Sequence, residues 1–443
     1  MSEKDQNNQS DFLIEKIKQR PINRRKLIRR TIITAAMAVI FGLIACFTFL
    51  VLEPIFSKWL NPEEEPQVIV LPEDQEEMLP EEMLAENQPT ESPSPEPSEE
   101  GVVLEPEQIE EILSGVVLTK QNYKELYAAL SEYTEELNRY MVMVTAVTSN
   151  IDWFSTVQES SNQTSGVIVD NNGKELLVLT NASPLRSAES LSLTFYNGQQ
   201  ANAQIKQQDS YTNLAVLSVA LTDLPEELRE KEEIYPEIDF TVSEKQPGTP
   251  VIALGSPMGT GNSIGYGMIT STSIPYSVPD RNYRILQTDI LGSQNGSGVL
   301  FNLDGQVVGI ITGNKSVSDM KNVIYAYKTG DLKRILENLL NGKELAYLGI
   351  SGVNVTPEAS GDLGVPLGGF VTKVDMDSPA MLAGIQQGDV ITNIDGRGIS
   401  TFNEYTGIIM QLEPGTTVEM TVKRKSQEEY KEMNFTMEVQ KAK

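Results

Sequence analysis

The clearest candidate for covalent chemistry is Ser297, which lies in the glycine-rich run QNGSGV. A serine hydroxyl becomes a nucleophile only when a neighbouring base takes its proton. The usual base is histidine, and the 443 residues of the chain contain none. A lysine or a carboxylate would have to replace it, and Lys315 is the only lysine near Ser297 in sequence. One cysteine, Cys46, excludes a disulfide within the chain, and no motif indicates a metal or a cofactor.

The elements that must position Ser297 are short β-type runs bounded by turn residues, which begin at Met141. Many short strands without intervening helices predict an all-β barrel or sandwich. The run DLKRILENLL, residues 331–340, predicts a helix that closes this segment. A second helix is predicted before the strands, with apolar residues at helical spacing on the face formed by Leu126, Leu130, Tyr133, Leu137 and Tyr140. We expect that face to pack on the following domain, with an oligomer contact as the alternative.

Four motifs in order resemble the trypsin-like, double β-barrel domain of the HtrA/Deg proteases. They are SGVIVDNNGKELLVLTN, YTNLAVLSV, VIALGSPMG and QTDILGSQNGSGVLFNLDGQVVGI. The similarity runs through most of residues 141–335 and implies a mainly β fold. We therefore assign residues 119–342 to a protease-like domain with an N-terminal helix.

The resemblance implies a catalytic triad, and this chain departs from it at all three positions. Ser183 stands where the family has its histidine, and Asn213 stands at the aspartate position after Thr212. The family's Gly-Asn-Ser-Gly-Gly-Pro-Leu becomes Gln-Asn-Gly-Ser-Gly-Val-Leu, so Gly296 occupies the nucleophile position. Since the three groups act together, we predict an inactive protein. The alternative is an active serine endopeptidase that uses Ser297, displaced by one residue, with a base other than histidine.

Residues 343–443 resemble the PDZ domains that follow HtrA proteases, a small and partly open α+β barrel. The motifs are ELAYLGISG, GGFVTKVDMDSPAMLAGIQQGDVITNIDGRGI, NEYTGIIMQL and TTVEMTVKRK. The resemblance implies a loop whose N–H groups receive a peptide's C-terminal carboxylate. The predicted loop residues are Tyr347, Leu348, Gly349 and Ile350. The predicted apolar wall, or alternatively core, is Tyr405, Ile408, Ile409 and Leu412. No histidine begins the groove helix, so we expect an apolar C-terminal residue in the ligand.

The N-terminal part predicts a membrane anchor and a tether. Residues 31–52 carry no charge and are long enough for a transmembrane helix. A cleaved signal peptide is the alternative, but no small-x-small site follows. The basic run RRKLIRR precedes the span, so residues 1–30 are predicted to be a cytoplasmic tail and the folded domains extracytoplasmic. Residues 53–118 are rich in Pro and Glu and predict a disordered linker. We expect a spacer, with an acidic ligand for a basic partner as the alternative.

Composition and resemblance together define the expected function. A formal net charge of −27 argues against nucleic-acid binding. We expect a single-pass protein of a bacterial cell membrane that binds exposed C-terminal or unfolded polypeptide segments, in envelope quality control or in regulating an active protease. The resemblance also implies homo-oligomers or mixed oligomers, as trimers, with HtrA-like paralogues.

Overall fold

The computed structural model describes residues 29, 32–44, 47–48, 66–71, 119–151, 157–229, 235–240, 246–313, 322–427 and 429–442. The chain divides into two units, residues 1–65 and residues 66–443. In the first unit, residues 32–44 are helical with exposed side chains. Among the described residues, no helix is both long enough and apolar enough to cross a bilayer. Parts of the predicted span 31–52, and most of the predicted tail and linker, lie outside the described residues, so these assignments stay predictions.

The second unit begins its regular structure with helix α1, Lys120–Asn138, which Thr119 caps through its side-chain oxygen. Only the C-terminal half of the predicted apolar face packs on the domain. Leu137 and Tyr140 are buried, whereas the side chain of Leu126 is 55% exposed. Tyr133 lies between these extremes, and its hydroxyl donates to the Leu303 carbonyl oxygen at 3.0 Å. The prediction of a packed helix therefore applies to its second half.

Six antiparallel strands follow α1 and close into a first barrel, in the order β1-β2-β3-β6-β5-β4. Their hydrophobic side chains fill its interior, as alternating or fully buried strands require. The strands are β1 Met141–Ile151, β2 Val157–Asn171, β3 Glu175–Asn181, β4 Ser190–Phe195, β5 Gln200–Asp209 and β6 Leu214–Ala220. Short 3₁₀ turns lie at Ser183–Leu185 and Leu221–Asp223, and helix α2, Glu226–Arg229, follows.

A second six-stranded barrel closes in the order β10-β11-β12-β9-β8-β7. Its strands are β7 Pro250–Ser256, β8 Ser263–Val278, β9 Arg281–Leu291, β10 Ser297–Phe301, β11 Val307–Thr312 and β12 Val323–Lys328. Helix α3, Thr329–Leu340, ends this part and buries its apolar face in the larger hydrophobic core. The predicted double β-barrel is confirmed.

A smaller α+β domain completes the chain around a sheet of order β14-β15-β16-β18-β19, in which β17 pairs with β16. A separate pair is formed by β13 and β20. The strands are β13 Ala346–Tyr347, β14 Ile350–Asn354, β15 Gly369–Val374, β16 Val390–Ile394, β17 Arg397–Gly398, β18 Thr417–Ser426, β19 Glu429–Glu438 and β20 Gln440–Lys441. The helices are α4 Pro357–Leu363, α5 Pro379–Ala383 and α6 Phe402–Ile409.

One stretch inside the predicted linker, residues 66–71, is ordered against the domain. Its Ile69 and Leu71 side chains are 7% exposed and belong to the larger core. Asn341 accepts the Ile69 N–H at 3.0 Å and donates to the Ile69 carbonyl oxygen at 2.8 Å. The Leu71 N–H donates to Glu337 Oε1 at 3.1 Å. These six residues depart from the predicted tether because the run QVIVL supplies apolar side chains that the acidic flanks lack.

Candidate functional site

Two of the three triad positions meet at one end of the first barrel. Strands β3 and β6 pair with Asn181 opposite Leu214, so the residues just beyond them face each other. Asn213 Oδ1 accepts hydrogen bonds from the Ser183 N–H at 2.8 Å and from Ser183 Oγ at 2.5 Å. Asn213 has a φ of 62°, in the left-handed region that asparagine tolerates best among non-glycine residues. The base and orienting positions thus hold a neutral hydroxyl and a neutral amide, neither of which takes up a proton near pH 7.

The third position lies in the loop between β9 and β10. The Gly296 N–H donates to the Ser293 carbonyl oxygen at 3.0 Å, and the Ser293 N–H donates to that of Pro257 at 2.9 Å. A Cβ atom on Gly296 would lie 2.6 Å from the Pro257 carbonyl oxygen and 3.0 Å from that of Ser293. The first distance is closer than non-bonded carbon and oxygen atoms approach. This loop conformation leaves no room for a side chain at Gly296 unless the backbone shifts.

Ser297 begins strand β10, and its side chain points into the protein. The residue is 1% exposed, and its Oγ accepts the N–H of Ser165, from β2 of the other barrel, at 3.0 Å. Ser165 Oγ in turn lies 2.7 Å from Ser256 Oγ. The hydroxyl of Ser297 therefore bridges the two barrels. It satisfies a buried backbone donor, which would otherwise cost about 1–3 kcal/mol.

The predicted carboxylate-binding loop of the smaller domain holds a carboxylate from this same chain. Asp280, at the turn between β8 and β9, accepts the N–H groups of Leu348 and Gly349 at Oδ2, at 2.8 and 2.9 Å. Its Oδ1 accepts the Ile350 N–H at 2.9 Å and the Tyr405 hydroxyl at 2.5 Å. Three predicted N–H donors and one predicted wall residue thus converge on Asp280, which the sequence reasoning did not include.

Burial dominates the electrostatics of this carboxylate. Desolvation raises the pKa of Asp280, while hydrogen bonds from Tyr405 and from the N–H groups of Gly349, Ile350 and Leu348 oppose that rise. Burial also raises the pKa of Tyr405, and the negative charge of Asp280 adds to the effect. The Tyr405 hydroxyl is therefore a permanent donor at neutral pH.

The remaining predicted groove residues divide between core and contact roles. Tyr347 stacks on Tyr211 with ring centroids 6.0 Å apart, and its hydroxyl donates to Asp375 Oδ2 at 3.2 Å. Ile409 is fully buried in the core of the smaller domain, and Ile408 and Leu412 pack against that core while partly buried. No group of His, Cys, Asp and Glu among the described residues could hold a metal ion.

Comparisons with known proteins agree with this architecture. Residues 164–310 match the model of the trypsin-like peptidase domain, and residues 346–434 match that of the PDZ domain. HhoB of Synechocystis sp. is 31% identical over 277 residues, which cover 59% of this chain and 63% of HhoB, less than two thirds of its length. The serine protease Do-like HtrA of Bacillus subtilis (strain 168) is 28% identical over 340 residues, or 70% of this chain and 74% of that protein.

A solved structure of the HtrA-type protease AlgW with a tripeptide is 24% identical to this chain, with a TM-score of 0.49. The likeness covers 70% of this chain and 97% of that one. The two family models match in the order trypsin-like domain, then PDZ domain. The chain therefore has a trypsin-like peptidase domain followed by a PDZ domain, and it is similar to HtrA/Deg-type serine proteases.

Proposed function

We propose that this chain is a non-catalytic HtrA/Deg-type protein that binds exposed C-terminal or unfolded polypeptide segments through its PDZ domain. The carrying observation is the Ser183–Asn213 pair, which occupies the positions of base and orienting carboxylate in a chain without histidine. Loss of the triad lowers kcat by about a millionfold in subtilisin. Ser297, the alternative nucleophile, is engaged with the Ser165 N–H in the interior.

Reaction with a fluorophosphonate tests the inactivity of the protein. The probe labels an activated serine hydroxyl, so we expect no labelling of the full chain at Ser297. The matched variants are Ser297→Ala and Ser293→Ala, the second of which removes a half-buried hydroxyl from the same loop. Labelling that disappears with Ser297→Ala and persists with Ser293→Ala would show an active endopeptidase and refute the proposal.

The peptide-binding half of the proposal rests on the N–H groups of Leu348, Gly349 and Ile350, which already hold a carboxylate. A ligand's C-terminal carboxylate has the same chemistry. We expect peptides that end in an apolar residue with a free carboxylate to bind, and their carboxamide counterparts to bind at least about tenfold more weakly, because charge-assisted hydrogen bonds are about twice as strong as neutral ones. Equal binding of both forms would contradict this mode of recognition.

We further propose that residues 31–52 anchor the protein in a bacterial cell membrane and that the folded unit acts outside the cytoplasm. There it would bind damaged envelope proteins or form mixed trimers with a catalytically intact paralogue. The basic run before the apolar segment supports this orientation. Alkaline extraction of membranes should leave the full chain in the membrane fraction, and its release into the soluble fraction would count against the anchor.

A further inference from the structure

The turn between β8 and β9 lies in the position that a peptide ligand would occupy in the PDZ domain. Recognition of a peptide by such a domain needs a carboxylate on the loop N–H groups and backbone pairing with the adjacent strand. The side chain of Asp280 meets the first requirement through three N–H donors. Its own N–H meets the second by donating to the Ile350 carbonyl oxygen at 2.6 Å.

Contacts on both sides of the groove extend this match. On the strand side, Asn282 Nδ2 donates to the Gly352 carbonyl oxygen of β14 at 2.9 Å. On the helix side, Thr406 Oγ1 of α6 donates to the Asp280 carbonyl oxygen at 3.0 Å. Asp280 is 1% exposed and Tyr405, the residue that closes its pocket, is fully buried. The turn therefore fills the carboxylate pocket and contacts both walls.

The turn is held in a shape suited to this role. Asp280 follows Pro279 and has a φ of 64°, a left-handed conformation, and its carboxylate accepts the loop N–H groups of the PDZ domain. The next residue, Arg281, is 4% exposed and forms an ion pair with the buried carboxylate of Asp209 at 3.0 Å. A non-glycine residue in this backbone region is strained and persists only where its surroundings hold it. The Asp209–Arg281 pair and the PDZ donors provide that restraint.

We propose that the β8–β9 turn is an internal ligand, in which the Asp280 carboxylate replaces the C-terminal carboxylate of a peptide and closes the PDZ groove. The proposal rests on peptide binding as the proposed function and adds its regulation. A peptide must displace Asp280 to bind, so binding separates the PDZ loop from the second barrel. Conversely, any change that withdraws the turn opens the groove.

The test compares peptide affinity in the full chain and in three variants. Asp280→Gly removes the carboxylate and keeps the left-handed turn accessible. Asp280→Asn removes the charge and replaces one accepting oxygen with an NH2 donor that would face N–H groups of the loop, so it should also release the groove. The matched control is Asp395→Asn, an exposed aspartate with a φ of 47° whose Oδ1 accepts the Glu419 N–H. The probes are two fluorescein-labelled pools of decapeptides that end in Val, Leu, Ile or Phe. One pool has free C-terminal carboxylates and the other has C-terminal carboxamides.

Competition by an internal ligand lowers apparent affinity by the fraction of time that the groove is open. A groove that is closed about nine-tenths of the time implies about tenfold tighter binding of the carboxylate peptides by Asp280→Gly. The same variant should leave the carboxamide forms weak, and Asp395→Asn should bind like the unmodified chain. Equal affinity of Asp280→Gly and the unmodified chain for the carboxylate peptides would overturn the proposal.

Hydrogen exchange separates this proposal from the proposed function. The amides of Leu348, Gly349 and Ile350 should be protected in the unmodified chain and should exchange at least about tenfold faster in Asp280→Gly. The distant Val418 amide is the control for folding and should keep its protection in both proteins. If neither the unmodified chain nor Asp280→Gly binds any peptide, the proposed function fails. Hydrogen exchange then tests by itself whether the turn contacts the PDZ loop. Unchanged protection of the three amides in Asp280→Gly overturns the internal ligand.

Discussion

Replacement of Asp209 by asparagine should destabilise the folded unit strongly, because it leaves one buried charge without its partner. Asp209 Oδ1 pairs with Arg281 Nη2 at 3.0 Å, and the two side chains are 0% and 5% exposed. Asp209 Oδ2 also accepts the Thr212 N–H at 2.9 Å and the Thr212 hydroxyl at 2.6 Å. An asparagine oxygen can keep the Thr212 contacts, but its NH2 group then faces the guanidinium of Arg281, so the change removes both the charge and the hydrogen bond of the pair.

The expected loss is about 3–5 kcal/mol in the free energy of unfolding, the cost of removing one member of a buried ion pair. This is a large fraction of the stability of an ordinary domain. Urea denaturation followed by circular dichroism measures it. The control Asp223→Asn changes an exposed aspartate of the same barrel and should shift stability by less than about 0.5 kcal/mol.

A double variant, Asp209→Asn with Arg281→Met, completes the test. Because it removes both charges and retains the buried volume, it should recover much of the loss, as apolar replacements of buried ion pairs do. A loss below about 1 kcal/mol in Asp209→Asn would refute the reasoning. A double variant no more stable than the single one would show that the guanidinium was not the destabilising group.

Three further predictions follow from the same structure. Burial favours a higher pKa for Asp209, but the charge of Arg281 and hydrogen bonds from Thr212 outweigh it and lower the pKa. The stabilisation by this carboxylate is therefore fully present above about pH 4 and is lost as the pH falls through the lowered pKa. In urea titrations, the difference in unfolding free energy between the unmodified chain and Asp209→Asn should shrink between pH 5 and pH 2. Gly298→Ala should cost at least about 2 kcal/mol, because φ is 121° and the new Cβ would lie 2.0 Å from a carbonyl oxygen of β7, whereas Gly173→Ala, at a φ of 85° in open space, should cost about 1 kcal/mol. Asn341→Ala removes both hydrogen bonds to Ile69 and should speed exchange of the Ile69 amide about tenfold, equivalent to about 1.4 kcal/mol; an unchanged rate would mean that side-chain burial alone holds residues 66–71.

The sequence predicted the barrels well because their information is local. Strand β3, Glu175–Asn181, reads as an apolar run between turn residues, and six of its seven residues are buried. The motifs also brought Ser183 and Asn213 to one place, since strand pairing follows from the fold that the motifs specify. The direction of the Ser297 side chain was beyond such reasoning, because it depends on where β10 begins.

The contact of Asp280 with the PDZ domain was beyond reach for a different reason. It joins residues 68 to 126 positions apart in sequence, and no periodicity encodes which turn of one domain meets which loop of another. The dipeptide Pro279–Asp280 signals a turn and nothing about its partner. Ordered residues 66–71 were missed because the composition of the whole segment hid one short apolar run.

Hydrolysis of unfolded casein by the purified full chain tests the central claim most directly. The claim is that a Ser183–Asn213 pair and an inward-facing Ser297 cannot support peptide-bond cleavage. We predict no release of peptides above background from the unmodified chain or from Ser297→Ala, with the protein folded in both. Cleavage by the unmodified chain that is abolished in Ser297→Ala would contradict the account. It would show that Ser297 is a nucleophile activated by a base other than histidine.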